Sequence, residues 1–315
     1  MQSRTADKIN TFLVLTRAYS LPISVMSWLI PFLYAAVSGG NILYGIAALT
    51  GIVLLHSASN LFDDIIDYYR ELQKIKQGKQ TDFNFQKGKC CCIIENKITF
   101  KQACIIDFVL FAASAAIGLF FLFIYGVKLL YIIIPAAILC LFYPIAGCFG
   151  LGEIILSIIF APLLYSGVYF VMNGGFSYEV LFLSAASGFI TISILINHSL
   201  LDYRYDKADR KITLCSISGG GEVSLLILAV TALCGYLSLI AAVFTGFLSV
   251  IYLLPLITLP FLYRLIKEMH AYIKTGAGLE NNEQFLKKFM LAQNLQISFT
   301  AAAALSIILA YRFNI

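Results

Sequence analysis

Nine long apolar stretches dominate this chain, and each can cross a lipid bilayer. A hydrocarbon core about 30 Å thick needs roughly twenty such residues at 1.5 Å each. The stretches run over 12–38, 42–68, 101–124, 127–147, 152–173, 178–202, 221–245, 247–267 and 289–312. Lipid offers backbone groups no hydrogen-bond partner, so each segment must satisfy its own and is expected to be helical. The expected fold class is therefore all-α, a polytopic membrane protein with about nine transmembrane helices around a central cavity. The composition agrees. Of 315 residues, 60% are hydrophobic and 12% charged, with mean hydropathy +0.87. A soluble domain carries far more charge.

The few charges set an orientation. The turns at Gly39-Gly40-Asn41, Gly126-Val127-Lys128, Gly174-Gly175-Phe176 and Gly246 are short and nearly uncharged. The connections after the second, sixth and eighth stretches are longer and basic. On this layout Lys128 and Arg312 are the only cations on one side, and the other twenty Lys and Arg lie opposite. By the positive-inside rule the basic side is cytoplasmic, the N-terminus is inside and the C-terminus outside. The net charge of +5 follows topology and does not indicate a nucleic-acid partner. The start MQSRTADKIN lacks a small-residue cleavage pattern, so the first helix is expected to be its own insertion signal. A bacterial cytoplasmic membrane is the expected location.

Two acidic clusters stand out against this background. The first is His56-Ser57 followed by Asn60, Asp63, Asp64, Asp67 and Glu71; the second is His198-Ser199 followed by Asp202, Asp206 and Asp209. Counted from each His, offsets +4, +8 and +11 coincide: Asn60 with Asp202, Asp64 with Asp206, Asp67 with Asp209. Side chains three and four apart share a helix face, so each cluster forms a polar stripe at the end of an apolar helix. Carboxylates beside lipid are costly and mark function. Two such stripes facing one cavity need cations, and a hard divalent ion such as Mg²⁺ brings a phosphate-bearing substrate with it. The repeat, 142 residues apart, suggests two related helical halves within one domain over 1–315. Their first motif covers 56–71 and their second 198–211.

Asp63, Asp64, Asp67, Asp202 and Asp206 are the expected metal ligands and catalytic carboxylates. Asn60, Glu71 and Asp209 are expected to support them. Lys211, with Lys87 and Lys89, is placed to meet phosphate charge. Arg17 could meet a carboxylate or phosphate of a substrate, or anchor the helix at the interface. His56 and His198 could line the cavity near an acceptor, or serve as interhelical hydrogen-bonders. Glu153 reads as an acid favoured at a helix N-terminus. A short helix in the segment after each cluster could cap the cavity mouth. Cys90-Cys91-Cys92 fit no zinc spacing and read as reduced thiols.

These residues resemble a known family. Asp63-Asp64-Ile65-Ile66-Asp67-Tyr68-Tyr69-Arg70-Glu71 is similar to the first aspartate-rich motif of the UbiA-type intramembrane prenyltransferases, NDxxDxxxD. Asp202-Tyr203-Arg204-Tyr205-Asp206 is similar to their second, DxxxD. Asp63 stands where the family usually has Asn, and Glu71 where it has Asp. Within the family the likeness is to 1,4-dihydroxy-2-naphthoate polyprenyltransferases of menaquinone synthesis. Three stretches carry it: Arg17-Ala18-Tyr19-Ser20-Leu21-Pro22; Gly150-Leu151-Gly152-Glu153 with Ala161-Pro162 and Gly167-Val168-Tyr169; and Asp206 followed by Lys211-Ile212-Thr213-Leu214. Where those enzymes show Asn-Asn-x-Arg-Asp, this chain has His198-Ser199-Leu200-Leu201-Asp202. The resemblance implies Mg²⁺-dependent transfer from a polyprenyl diphosphate to an aromatic acceptor, giving demethylmenaquinone. Other acceptors (4-hydroxybenzoate, haem, a glycerol phosphate), isoprenoid cyclisation and a membrane transporter are the alternatives.

Overall fold

The computed structural model describes residues 2–78, 90–146, 149–208, 212–275 and 282–314, which contain no β-strand. In chain order the α-helices are α1 (Gln2–Leu15), α2 (Pro22–Val37), α3 (Ile42–Lys76), α4 (Cys91–Ile94), α5 (Phe100–Tyr125), α6 (Leu130–Ala146) and α7 (Gly152–Ile158). They continue as α8 (Leu164–Asn173), α9 (Tyr178–Ala208), α10 (Leu214–Ile217), α11 (Gly221–Phe244), α12 (Leu259–Thr275) and α13 (Asn282–Phe313).

Eight stretches of the described residues are long and apolar enough to span a bilayer. One of them, Phe100–Tyr143, is 44 residues long. It holds α5 and α6 around the 3₁₀ turn Gly126–Leu129, so it accommodates both predicted spans 101–124 and 127–147. The predicted first span, 12–38, is corrected. The chain breaks at Arg17, whose φ of 50° is left-handed, and the spanning stretch begins at Ala18. The amphipathic α1 is a separate helix. Pro22, at the first position of α2, was the available sign of a helix start, but it lies within an apolar run that reads as one span.

The described chain forms two compact units. The first comprises the residues through Val25 and Ile46–Leu130. Here Leu15, Leu61, Ile65, Cys92, Ile93 and Ala103 make a buried cluster drawing on α1, α3, α4 and α5. Tyr68 and Phe100 stack beside it at 5.6 Å. Thr99 caps α5 by accepting from Gln102 N, while Gln102 Oε1 accepts from Thr99 N, which satisfies two otherwise orphan donors.

The second unit comprises Met26–Gly45 and Tyr131–Ile315. Its centre is α9, whose Ile190, Ile194, Ile196 and Leu201 are essentially inaccessible. Helix α11 crosses it at Gly235, where an added methyl would lie 2.9 Å from the carbonyl oxygen of Ala186. Between α7 and α8 the backbone widens to a π-turn over Ile159–Leu163, around Pro162, which has no N–H to give. Just before it, Ser157 Oγ donates to the carbonyl of Gly188 on α9 at 3.0 Å.

Candidate active site

In the first unit, α3 continues unbroken through Lys76, so Asn60, Asp63, Asp64, Asp67 and Glu71 ride on its last turns as the spacing implied. Asp63 and Asp64 are buried, 8% and 2% exposed. Buried carboxylates must be paired or protonated. The partner is Arg17, 46 residues before Asp63, whose Nη2 lies 3.3 Å from Asp63 Oδ2 and also pairs with Asp64. No basic residue lies between Asp63 and Asp67 in sequence; the left-handed turn at residue 17 brings one to Asp63 and Asp64. Burial works against the Arg17 charge, but Asp64 and Asp63 outweigh it and hold its pKa above the ordinary arginine range. The Arg17 Nε–H is buried and has no acceptor among the described residues.

Asp64 has a second restraint. The backbone N–H of Cys90, itself left-handed at φ 54°, donates to Asp64 Oδ2 at 2.9 Å. Cys90 Sγ donates to the Asp64 carbonyl at 3.1 Å. The short helix α4 follows directly, one of the two expected after the clusters. Burial pushes the Cys92 thiol up to about 11, so it is protonated at neutral pH. This suits reduced, unreactive thiols, and the described cysteines are free.

One turn deeper, a polar chain links α3 to the segment after α1. Asn60 Nδ2 donates to Ser20 Oγ at 2.9 Å and to the Thr16 carbonyl at 3.2 Å. His56 lies 3.2 Å from Ser20 Oγ through Nε2 and 2.7 Å from Ser24 Oγ through Nδ1. Ser20 Oγ donates to the Arg17 carbonyl at 2.9 Å. One proton arrangement satisfies every group: His56 neutral, with Nε2–H donating to Ser20 and Nδ1 accepting from Ser24. His56 thus takes the interhelical hydrogen-bonding place. Toward solvent, Asp67 sits 3.7 Å from Arg70, and Glu71 pairs with Lys74.

In the second unit, α9 carries His198, Asp202 and Asp206, and Asp206 is 3% exposed. His198 differs from its counterpart. Its ring stacks on Phe289 at 4.3 Å and 14°, and its Nε2 is buried without a partner. One residue missed by sequence reading, Asn197, and one read too narrowly, Glu153, lie here. Asn197 is fully buried with neither amide atom hydrogen-bonded; its place in an apolar helix, next to a predicted site residue, was the available signal. Glu153 is also buried, and it does more than favour the α7 N-terminus. Its Oε1 accepts from Ser199 Oγ at 2.8 Å and from the Leu214 N–H at 3.2 Å. It thereby ties α9 to α10, the other short post-cluster helix, which is capped by Thr213 and Ser216.

Asp209, Lys211, Lys87 and Lys89 lie outside the described residues. Among the described residues no three His, Cys, Asp or Glu side chains are grouped to enclose a metal ion. The clusters do offer hard carboxylate oxygens, the donor type Mg²⁺ takes.

A sequence profile of the UbiA prenyltransferase family matches residues 21–275. Among curated proteins, none matches the sequence significantly. Solved structures do match. A digeranylgeranylglyceryl phosphate synthase superposes with TM-score 0.65 at 17% identity, over 96% of this chain and 99% of that one. A UbiA homologue from Aeropyrum pernix K1 gives 0.60 at 17%, over 89% and 97%. A UbiA homologue from Archaeoglobus fulgidus, bound to GPP and Mg²⁺, gives 0.59 at 13%, over 93% and 99%. At these identities the likeness is one of fold.

Proposed function

The chain belongs to the UbiA prenyltransferase family, and from that premise we propose that it transfers a polyprenyl group from polyprenyl diphosphate to 1,4-dihydroxy-2-naphthoate, giving demethylmenaquinol, the reduced form of demethylmenaquinone. The observation that carries the reading is the burial of Asp63, Asp64 and Asp206 at the ends of two apolar helices. Mg²⁺ ordinarily takes one or two carboxylates together with its substrate's phosphate oxygens, so a protein cage of three or more ligands is not required. Asp63, Asp64, Asp67, Asp202 and Asp206 are the residues that would hold it. When bound it would neutralise charge on the departing diphosphate.

The chain's own groups complete the chemistry. The unpartnered Nε–H of Arg17 is a donor that a phosphate oxygen would satisfy. Cys90 N–H and Arg17 hold Asp64 in place, so its orientation is set before substrate arrives. The C1–O bond of the donor breaks, and diphosphate leaves with the electron pair. The electron-rich naphthoate ring attacks the allylic cation, and the ring carboxylate departs as CO₂. Apolar helices shield the cation from water. Asn60, His56, Glu71 and His198 support this site from neighbouring turns, and Asp209 and Lys211 extend the second motif.

The acceptor rests on sequence resemblance alone. Two of the resembling stretches, 150–153 and 211–214, meet through Glu153 and the Leu214 N–H. Purified protein in lipid, given labelled polyprenyl diphosphate and Mg²⁺, is expected to prenylate 1,4-dihydroxy-2-naphthoate in preference to 4-hydroxybenzoate or a glycerol phosphate. EDTA should stop turnover. Asp64→Ala and Asp206→Ala should each lower it by about 10²-fold or more, in the range of lost transition-state electrostatics. Transfer to a glycerol phosphate alone would replace the acceptor and keep the family. Full turnover in either variant would remove that residue from the site.

A further inference from the structure

Helix α1 carries an apolar face that the protein leaves uncovered. Ile9, Phe12 and Leu13 are 57%, 43% and 46% exposed. Their spacing of three and four puts them on one side of the helix. Val14 and Leu15 turn toward the other side, where they pack on the cluster of Leu61, Ile65, Cys92, Ile93 and Ala103. Asp7 is exposed and lies nearly opposite the apolar face, with exposed Lys8 and Asn10 at its flanks. Single apolar residues on a surface need no account, but three on one face of an otherwise polar segment do.

The level of α1 in the first unit says what meets that face. The cluster under Leu15 is built from the ends of two spanning stretches of the same unit. Ile65 lies where α3 turns polar, and Ala103 lies in the first turn of α5. The span that follows α1 begins at Ala18, five residues after Leu13. Tyr19, at that start, is 66% exposed, in the place where interfacial aromatics stand. Helix α1 therefore runs at the boundary between headgroups and acyl chains. A helix there with polar flanks and one apolar face lies in the plane of the interface, that face about 5–10 Å into the lipid. The lipid that surrounds the adjoining spans continues directly onto Ile9, Phe12 and Leu13.

We propose that α1 is seated in the bilayer surface, with Ile9, Phe12 and Leu13 toward the acyl chains, and that this seat braces α4. The Thr11 carbonyl accepts from Cys92 Sγ at 3.7 Å, and Leu15 packs in one cluster with Cys92 and Ile93. Helix α4 starts at Cys91, next to Cys90, whose N–H holds Asp64. Lipid contact on one side of α1 is thereby linked to a buried carboxylate on the other. The proposal does not depend on the reaction or the acceptor assigned above.

Two measurements on the whole chain in phosphatidylcholine nanodiscs test it. Benzoylphenylalanine, a photo-reactive phenylalanine analogue, replaces Phe12 in one sample and Asp7 in another. After illumination, mass spectrometry reads what each has joined. Position 12 should give about tenfold or more phospholipid adduct than position 7, because the faces of an interfacial helix differ in depth by about 5–10 Å. The second measurement is amide hydrogen exchange over Cys90–Ile94. The double variant Phe12→Gln, Leu13→Gln should speed it about threefold or more, as a loosened α1 lets α4 open locally. Asp7→Asn should leave it unchanged. If the double variant fails to fold, Ile9→Gln takes its place in the exchange measurement. Equal lipid labelling at positions 7 and 12 overturns the seat in the bilayer. So do adducts from position 12 to a second copy or to residues 79–89 of the same chain, either of which gives the face a protein cover. Unchanged exchange in the glutamine variant, or equal acceleration by Asp7→Asn, overturns the bracing of α4.

Discussion

Cys90 acts on Asp64 mainly through its backbone, and that has a measurable consequence. The N–H bond survives any side chain that tolerates φ near +54°, a region Gly enters freely and β-branched residues avoid. Cys90→Gly is therefore expected to keep turnover within about twofold, whereas Cys90→Val should lose about tenfold or more through backbone strain of roughly 1–3 kcal/mol. Steady-state rates of the two variants check this, and equal loss in both would assign the role to the thiol. At this scale the acids were legible in the sequence, because carboxylates in an apolar run have no bland explanation. Their partners were not. Arg17 reads equally as an interfacial anchor of the first apolar stretch, and nothing in local spacing shows that a left-handed residue aims it at Asp63 and Asp64. The matched histidines show the limit of internal symmetry. Ser20 and Ser24 occupy His56, and no corresponding serines attend His198, which has Phe289.

Among the elements, the spans from α2 to α13 were readable from hydropathy, since lipid leaves little choice of backbone. The exceptions are where the regular helix gives way. The π-turn at Ile159–Leu163 inserts a residue, so positions on either side of it do not keep the face that a 3.6-residue period assigns. Packing between elements is equally hidden. Gly235 looks like any glycine in an apolar run, yet a methyl there would press on the Ala186 carbonyl and Ile190 of α9. Gly235→Ala should destabilise the second unit by roughly 1–3 kcal/mol, the usual cost of overpacking. A lower thermal transition in detergent would register it, and an unchanged one would show that the α9–α11 crossing can yield. Glu153 joins α7, α9 and α10 through two hydrogen bonds. Glu153→Ala leaves Ser199 Oγ and the Leu214 N–H without that acceptor, at about 1–3 kcal/mol for each donor that stays buried and unpaired. Glu153→Gln keeps a carbonyl oxygen for them and should recover part of the loss in the same melt.

For the whole molecule, the positive-inside reading makes a topological prediction. With the two helices of Phe100–Tyr143 counted as separate crossings, the spanning segments among the described residues are odd in number, and the chain ends are expected on opposite faces. A protease-sensitive tag at the N-terminus should be protected in intact cells, and one at the C-terminus cleaved. The reverse pattern would place the basic segments, and both acidic clusters, outside. The pairing of Arg17 with Asp63 and Asp64 bears on how such a chain is made. Synthesis runs from the N-terminus, so the guanidinium exists before the carboxylates it will neutralise leave the ribosome. A central aspartate costs about 2.5–3.5 kcal/mol in translocon-mediated insertion. Two acids at the end of α3 would thus meet a waiting counter-ion as they pass into the lipid. Arg17→Gln should lower the amount of protein in the membrane as well as its turnover. Adding Asp63→Asn and Asp64→Asn should restore the amount without the turnover. The same ion pair that steadies the site would then act first as a condition of biogenesis.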